Sequence, residues 1–128
     1  MKTFSIVICA FNEEKNIGVI LKNVLNQKVP KSFFLEKIII VSDGSNDKTN
    51  KIVDNFTKKD NRIVLIRNSE RKGKAESFNI GKKYISSDFL ISVDADIILE
   101  KNIFLSTLSN LEDTNNANID LMSVHAKP

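Results

Sequence analysis

Short apolar runs alternate with longer stretches of helical periodicity along this sequence. Four of the runs, at residues 4–10, 37–41, 63–66 and 89–93, are rich in Ile and Val, which is typical of strands covered on both faces. The stretches between them place apolar residues at helical spacing. Strands that alternate with helices predict an α/β fold: a three-layer α/β/α sandwich around a mostly parallel sheet.

Local signals indicate where the helices begin and end. Asn12 is the expected N-cap of the first helix, with Glu13 and Glu14 in its first turn and Pro30 beyond its end. Later helices are expected to carry Ile52, Val53 and Phe56, then Ala75, Phe78, Asn79 and Tyr84, and finally residues 103–111. A last short strand is expected at 119–124, and 128 residues suit a single domain.

The charge distribution restricts the class of ligand. The formal net charge is +3, from 19 basic and 16 acidic residues, and the tight basic cluster consists of Arg71, Lys72 and Lys74. A nucleic-acid binder usually has a denser basic face with interleaved aromatic residues. We therefore expect no nucleic-acid partner, and instead a small anionic ligand such as a diphosphate.

Cysteine usage and hydropathy bear on the location of the protein. Cys9 is the single cysteine, so no internal disulfide is possible, which is compatible with a reducing compartment. No apolar run approaches the roughly 18 to 20 residues of a membrane span, and the first residues lead directly into a strand rather than a signal peptide. These features predict a soluble, cytoplasmic chain.

Polar and charged side chains are concentrated where the predicted strands end. In an open parallel sheet, ligands bind at the carboxyl ends of the strands. The residues found there are Phe11, Asn12 and Glu13 after the first strand, Asp43 after the second, Arg71, Lys72 and Lys74 after the third, and Asp94 and Asp96 after the fourth. We expect these groups to meet at one rim of the sheet.

The segment Asp94-Ala95-Asp96 is the most informative of these features. In extended backbone, residues i and i+2 point the same way, so the two carboxylates repel unless a cation neutralises them. A hard divalent ion with oxygen ligands, Mn²⁺ or Mg²⁺, meets that need and would also hold a diphosphate. The alternative is a strand end with two solvated carboxylates. The position after a very apolar strand, opposite Asp43 and a basic loop, favours the metal interpretation.

The other candidate residues each have a structural alternative. Asp43 either accepts hydrogen bonds from a nucleobase or ribose, or begins a turn. Phe11 either stacks on a base or belongs to the core, and Lys74 either neutralises phosphate or is solvated. His125 has no evident partner, so we assign it neither a metal nor a catalytic role.

Four segments, in order, resemble the family-two inverting glycosyltransferases, which have the GT-A fold with its Rossmann-like nucleotide-binding half and use nucleotide-diphospho-sugars. They are SIVICAFNEE at 5–14, IVSDGSNDKT at 40–49, GKAESFNIG at 73–81 and DAD at 94–96. Each is similar to a family motif: an opening strand ending in Pro-Ala-Tyr-Asn-Glu, an Asp-Asp-Gly-Ser turn, a Gly-Lys-x-x-Ala-x-Asn-x-Gly segment and a metal-binding Asp-x-Asp. The resemblance covers essentially the whole chain.

The resemblance implies a role for each matching residue. Residues Ala10, Phe11, Asn12, Glu13, Asp43, Lys74, Asp94 and Ala95 would bind the nucleotide-diphospho-sugar, a UDP- or GDP-sugar. In that set Phe11 would pack on the base, Asp43 would bind the base and Asp94 would contact the ribose or sugar. Asp96, with Asp94, would hold the Mn²⁺ or Mg²⁺ ion that bridges the diphosphate and stabilises the leaving group.

The sequence also departs from the family pattern. Cys9 stands where the family often has Pro, Phe11 where it has Tyr, Ser42 where it has Asp and Ser77 where it has Ala. Family members are longer, and their later part supplies the acceptor pocket and a carboxylate general base. The later acidic residues of this chain are in no matching context: Glu100, Glu112, Asp113 and Asp120.

No catalytic residue is therefore assigned to this chain. We expect residues 1–128 to form a single GT-A domain that stops before the acceptor-binding part, with any membrane contact, at the cytoplasmic face, made by other segments of the parent protein. The alternative is a metal- and nucleotide-binding module without turnover.

Other α/β classes fit less well. A phosphoacceptor receiver domain needs two acidic residues just after its first strand, where this chain has Phe11 and Asn12. A dinucleotide-binding oxidoreductase needs a glycine-rich turn there, and the first glycine of this chain is Gly18. A nucleotidyltransferase usually has a glycine-rich loop at the same place.

Overall fold

The computed structural model describes residues 1–112 and 120–124. Strands and helices alternate along them, as the sequence predicts. The elements are β1 (Lys2–Ala10), α1 (Ile17–Leu25), β2 (Phe33–Asp43), α2 (Thr49–Thr57), β3 (Ile63–Asn68), α3 (Lys74–Lys82), β4 (Phe89–Asp94), α4 (Ile103–Ser109) and β5 (Asp120–Val124). None of the helices in these residues is long and apolar enough to cross a membrane.

The five strands form one sheet in the order β3-β2-β1-β4-β5, and every neighbouring pair is parallel. The chain proceeds outward from β1 to β3 and then crosses over to β4 on the other side of β1. The strand order therefore reverses beside β1, and parallel sheets bind ligands in the crevice at such a reversal. The topology by itself therefore predicts a ligand site at the carboxyl ends of β1 and β4.

Each face of the sheet is covered by helices, which gives the three predicted layers. Ile6 and Ile8 of β1 belong to a core that also contains the buried apolar residues of α1, α2 and α4. Val7 points to the opposite face, where it packs with Ile39, Val41 and Leu90 beneath α3. The prediction of a three-layer α/β fold with a mostly parallel sheet is thus confirmed.

Helix α3 lies very close to the sheet because Gly81 faces it. A Cβ atom at this position would lie 2.9 Å from Cγ2 of Val41 and 3.1 Å from Cγ1 of Val7. Both neighbours are buried strand residues that have little room to move. The absence of a Cβ atom at Gly81 therefore allows α3 to pack this close to the sheet. This packing sets the position of the residues at the N-terminus of the helix.

Several element boundaries differ from the predicted ones. Strand β2 begins at Phe33 rather than at residue 37, because residues 33–35 pair with residues 2–4 of β1. Leu35 pairs with Phe4 and Lys37 with Ser5, so Glu36 forms a bulge. Tyr84 lies beyond α3 and is half exposed.

The last helix and strand are slightly shorter than expected. Helix α4 ends at Ser109, and β5 begins at residue 120. His125 lies outside the described residues.

The predicted N-cap of the first helix is wrong. Helix α1 begins at Ile17 with Asn16 as its N-cap, and its first turn contains no acidic residue. Asn12 instead has a φ of 50°. This left-handed residue lies in the turn that follows β1, and the helix starts about one turn later.

Candidate functional site

An open groove of about 330 Å³ lies at the carboxyl ends of β1, β2 and β4. It is lined by Cys9, Ala10, Phe11, Glu13, Asp43, Arg71, Lys74, Asp94, Ala95 and Asp96. The structure therefore brings together the predicted site residues with the exception of Asn12. The groove also contains Arg71, which was expected at this rim, and Cys9, which was not; Lys72, expected at the same rim, is not part of its lining.

Asn12 connects two loops rather than lining the groove. Its backbone N–H donates to Oγ of Ser45 at 3.0 Å, and its Oδ1 accepts from the backbone N–H of Asn46 at 2.9 Å. The next residue, Glu13, donates its backbone N–H to Oγ1 of Thr49 at 2.8 Å. The loop after β1 is thereby fixed to the loop after β2, and the left-handed turn at Asn12 leaves Phe11 and Glu13 facing the groove.

Asp43 is almost fully buried, with 3% of its surface exposed, and both of its oxygens accept hydrogen bonds. Oδ1 accepts from Nδ2 of Asn68 at 3.0 Å and from the backbone N–H of Lys72 at 2.7 Å. Oδ2 accepts from the backbone N–H of Gly73 at 3.0 Å and, more weakly, from Nε of Arg71 at 3.4 Å. The carboxylate at the end of β2 thus holds the loop that follows β3.

Burial by itself would raise the pKa of Asp43, because it disfavours the charged form. The hydrogen bonds from Asn68, Lys72, Gly73 and Ser77 favour the charged form and outweigh burial, so the pKa falls to about 2. Asp43 is therefore ionised at neutral pH and supplies a permanent negative charge under the loop.

Gly44 allows this loop to approach so closely. Its φ is 72°, and a Cβ atom there would lie 2.9 Å from the backbone N of Arg71 and 3.0 Å from the carbonyl carbon of Glu70. Glycine is the residue that adopts this backbone conformation without steric cost. The turn after β2 and the loop after β3 consequently behave as one packed unit.

Phe11 and Arg71 form an exposed stack at the rim of the groove. The guanidinium carbon of Arg71 lies 3.7 Å from the centre of the Phe11 ring, within the range of a cation–π contact. Phe11 is 38% exposed, so it is a rim residue and not part of the core. The stack presents a flat, positively charged surface beside the Asp43 carboxylate.

The other end of the groove contains the carboxylate pair. Nζ of Lys74 lies 2.7 Å from Oδ1 of Asp94, and this hydrogen bond is the main reason that the pKa of Lys74 is raised. Asp96 is exposed and lines the same groove. The pairing of Lys74 with Asp94 was not expected from the sequence, because the two residues lie on different elements.

Asp94 and Asp96 suit a metal ion that is shared with a ligand. Within residues 1–112, no group of three His, Cys, Asp or Glu side chains is arranged to hold a metal ion by itself. Mg²⁺ and similar ions are, however, usually bound by one or two carboxylates together with water and substrate phosphates. The oxygen donors at this end of the groove fit that second kind of site.

Cys9 forms part of the floor of the groove. Burial raises the pKa of its thiol to about 11, so the side chain is neutral at physiological pH. It pairs in register with Asp94 on one side and Val41 on the other, at the centre of the sheet. Its position could have been inferred from the strand-end rule, whereas the stack of Arg71 on Phe11 has no signal in the sequence.

The model of the family described as "Glycosyl transferase family 2" matches residues 5–127. An uncharacterised protein of Methanocaldococcus jannaschii is 38% identical over 114 residues, which is 85% of this chain and 47% of that protein. A dolichyl-phosphate beta-glucosyltransferase of Trichomonas vaginalis is 35% identical over 97 residues, 72% of this chain and 30% of that protein. The matched part thus covers less than half the length of each of these relatives.

Solved structures share the fold. A mannosyltransferase of Pyrobaculum calidifontis in complex with GDP-Man and Mn²⁺ has a TM-score of 0.75 at 22% identity, over 87% of this chain and 32% of that one. TarS of Staphylococcus aureus in complex with UDP-GlcNAc has a TM-score of 0.74 at 26% identity, over 88% of this chain and 32% of that one. In both cases the similarity covers about a third of the larger chain.

Proposed function

Because the chain belongs to glycosyl transferase family 2, we propose that it forms the donor-binding part of an enzyme that transfers a sugar from a nucleotide-diphospho-sugar to an acceptor hydroxyl. The observation that carries this proposal is the groove, in which an aromatic–cation stack at one end faces a carboxylate pair at the other. A nucleotide sugar has the matching chemistry, with a flat base at one end and a diphosphate beyond the ribose.

The base end of the groove consists of Phe11, Arg71 and Asp43. A nucleobase placed against the stack of Arg71 on Phe11 would contact a cation and an aromatic ring, both of which favour flat π systems. The Asp43 carboxylate already accepts bonds from the loop that carries Arg71. We therefore assign Asp43 to holding this end in shape as well as to any direct contact with the base.

The diphosphate end consists of Lys74, Asp94 and Asp96. We propose that Asp96, with Asp94, holds a divalent metal, Mn²⁺ or Mg²⁺, together with the phosphate oxygens of the donor. When bound, the metal would act as a Lewis acid that stabilises negative charge on the departing nucleoside diphosphate. Lys74 supplies a further positive charge beside the same phosphates, and Cys9 and Ala10 provide a neutral floor.

Transfer with inversion is the mechanism that we propose for the whole protein. Inversion needs a carboxylate base that deprotonates the acceptor hydroxyl in line with the leaving group. The acidic residues that line the groove in the described part of the chain are Glu13, Asp43, Asp94 and Asp96, and we assign none of them this task. Since this chain matches less than half of each of these relatives, we assign the base and the acceptor pocket to sequence beyond this segment.

The absence of an assigned base favours a second candidate for this segment by itself, namely a metal- and nucleotide-binding module without turnover. Both candidates require the same first property, which is metal-dependent binding of a nucleoside diphosphate. They differ only in release of free nucleoside diphosphate from a nucleotide sugar when an acceptor is present. The cytoplasmic location stays a prediction under either candidate.

Calorimetric titration with UDP, GDP, CDP and ADP, with and without Mn²⁺, tests this function. We expect one of these nucleotides, UDP or GDP, to bind, and to bind at least about tenfold more tightly with Mn²⁺. The Asp96→Asn variant removes one metal ligand and should abolish the gain from Mn²⁺. Asp54→Asn is the matched control, because it removes a carboxylate of α2 that forms an exposed ion pair with Arg67 of β3, and it should bind as the wild type does.

Two outcomes would contradict the proposal. One is a folded wild-type chain that binds none of the four nucleotides, either alone or as part of the longer protein. The other is a nucleotide affinity that does not change with Mn²⁺ or with Asp96→Asn. A rise in melting temperature with nucleotide and metal would support binding independently of calorimetry, because a ligand that binds the folded state stabilises it.

A further inference from the structure

We propose that the ammonium group of Lys74 occupies the place of a divalent cation beside Asp94 in the nucleotide-free groove, and moves to the diphosphate when metal and nucleotide enter together. This inference rests on the proposed function, because it concerns the order in which the groove takes up its ligands. It assigns Lys74 two successive partners, Asp94 before binding and a phosphate after it.

The first step is the geometry of the ion pair. Nζ of Lys74 lies 2.7 Å from Oδ1 of Asp94, which is direct contact with one of the two carboxylates assigned to the metal. A metal ion bound to that oxygen would have to come within a few ångströms of the ammonium. Two cations at such a distance repel each other, so they compete for the same carboxylate.

The second step is the difference in mobility between the backbone and the side chain of Lys74. Its backbone is fixed, since α3 is held against the sheet at Gly81 and the preceding residue, Gly73, donates its N–H to Asp43. The side chain itself is 70% exposed, so little packing opposes its movement. A lysine side chain is a flexible stem of four carbons, so its ammonium group can reach a new partner while Cα stays fixed.

The exchange of partners by Lys74 couples metal binding to nucleotide binding. Metal alone would have to displace Lys74 into solvent, whereas metal with a diphosphate gives the displaced ammonium a new anionic partner. Nucleotide should therefore strengthen metal binding by more than the phosphate ligands alone would explain. Linkage requires that metal strengthens nucleotide binding by the same factor.

Lys74→Gln tests the inference when it is compared with Lys72→Gln. Both substitutions remove one positive charge, Lys74 from the start of α3 and Lys72 from the loop just before it. The structure pairs Lys74 with Asp94 and does not include Lys72 in the lining of the groove. The quantity to measure is the dissociation constant of Mn²⁺ alone, by electron paramagnetic resonance of the free ion. We expect Lys74→Gln to bind Mn²⁺ about 5- to 20-fold more tightly than the wild type, and Lys72→Gln to stay within about twofold.

A second readout follows the lysine directly. Reductive methylation with ¹³C gives each lysine an NMR signal that reports on its surroundings, and Lys74→Gln identifies the signal of Lys74. We expect this signal to move when Mg²⁺ and UDP or GDP are added together, and to move differently with Mg²⁺ alone. The signal of Lys72 should change little in both additions.

Equal Mn²⁺ affinity in the Lys74→Gln, Lys72→Gln and wild-type proteins would overturn the inference. If the wild type still bound nucleotide more tightly with Mn²⁺, the proposed function would stand without it. If the wild type bound no nucleotide, either alone or as part of the longer protein, the proposed function would fail, and the Mn²⁺ comparison would still decide whether Lys74 excludes a cation from Asp94. Lys74→Met provides a second variant without hydrogen-bonding capacity, for which the same increase in affinity is expected.

Discussion

Two carboxylates face the groove from either side of β1, and they are held in opposite ways. Asp43, at the end of β2, is buried and accepts four hydrogen bonds, two of them from backbone N–H groups. Asp94, at the end of β4, is more exposed and forms an ion pair with an exposed lysine. The comparison indicates that the β2 side of the groove is built to keep its shape, whereas the β4 side is built to exchange partners.

Replacement of each carboxylate by alanine should give the largest difference between the two sides, measured as the loss in the free energy of unfolding. Asp43→Ala removes the acceptor of part-buried donors of Asn68, Lys72 and Gly73, so we expect it to lower the free energy of unfolding by about 3 to 5 kcal/mol. Asp94→Ala removes a partly exposed ion pair and should cost less than about 1 kcal/mol. Urea unfolding of both variants measures the difference, and similar losses would show that the two sides are not distinct.

Gly44→Ala perturbs the β2 side through geometry rather than charge. The added Cβ would meet the backbone of Arg71 at 2.9 Å in a left-handed conformation, so we expect a loss of about 2 to 3 kcal/mol in the free energy of unfolding. Gly18→Ala is the control. Gly18 lies in α1, and its added Cβ would be at an ordinary contact distance of 3.6 Å from the Ile52 side chain of α2. That variant should be neutral or slightly stabilised, as alanine favours helix more than glycine does. A tolerated Gly44→Ala would argue against a close-packed loop.

The pH dependence of stability gives the smallest of the three effects. The pKa of Asp43 is lowered from 3.8 to about 2 in the folded protein, so its contribution is complete above the unfolded value and is lost as the pH falls through about 2. Linkage gives this contribution a size of roughly 2 kcal/mol. Asp43→Asn should therefore reduce the loss of unfolding free energy between about pH 5 and pH 2 by that amount, measured against the wild type.

An unchanged pH dependence in Asp43→Asn would mean that the hydrogen bonds around Asp43 do not favour its charged form. Other carboxylates also titrate in this range, among them Asp47 and Asp60, whose pKa values are lowered as well. The difference between variant and wild type isolates Asp43 because these other groups are common to both proteins.

The sequence predicted the parts of this molecule that depend on periodicity. Strands, layers and the side of the sheet on which the groove lies follow from apolar spacing and from the rule that parallel strands bind ligands at their carboxyl ends. For the same reason, Phe11, Asp94 and Asp96 were expected in the groove, and the structure places them there. Which of these residues contact a ligand stays a prediction.

Features that depend on contacts between distant loops could not be predicted in this way. The donors to Asp43 include backbone N–H groups of residues 72 and 73, and a backbone group has no signature in the sequence. The left-handed turn at Asn12 depends on Ser45 and Asn46, which belong to another loop. The extension of β2 to Phe33 depends on pairing with the first residues of the chain.

The strand order has a consequence for the length of ligand that this groove accepts. Asp43 ends β2 and Asp94 ends β4, and β1 lies between these two strands. Neighbouring strands are about 4.8 Å apart, so the backbone ladder places β2 and β4 roughly 10 Å apart across β1. That distance is set by main-chain hydrogen bonds and does not depend on any side chain. The spacing of the strands therefore limits the length of a ligand that is held at both ends of the groove.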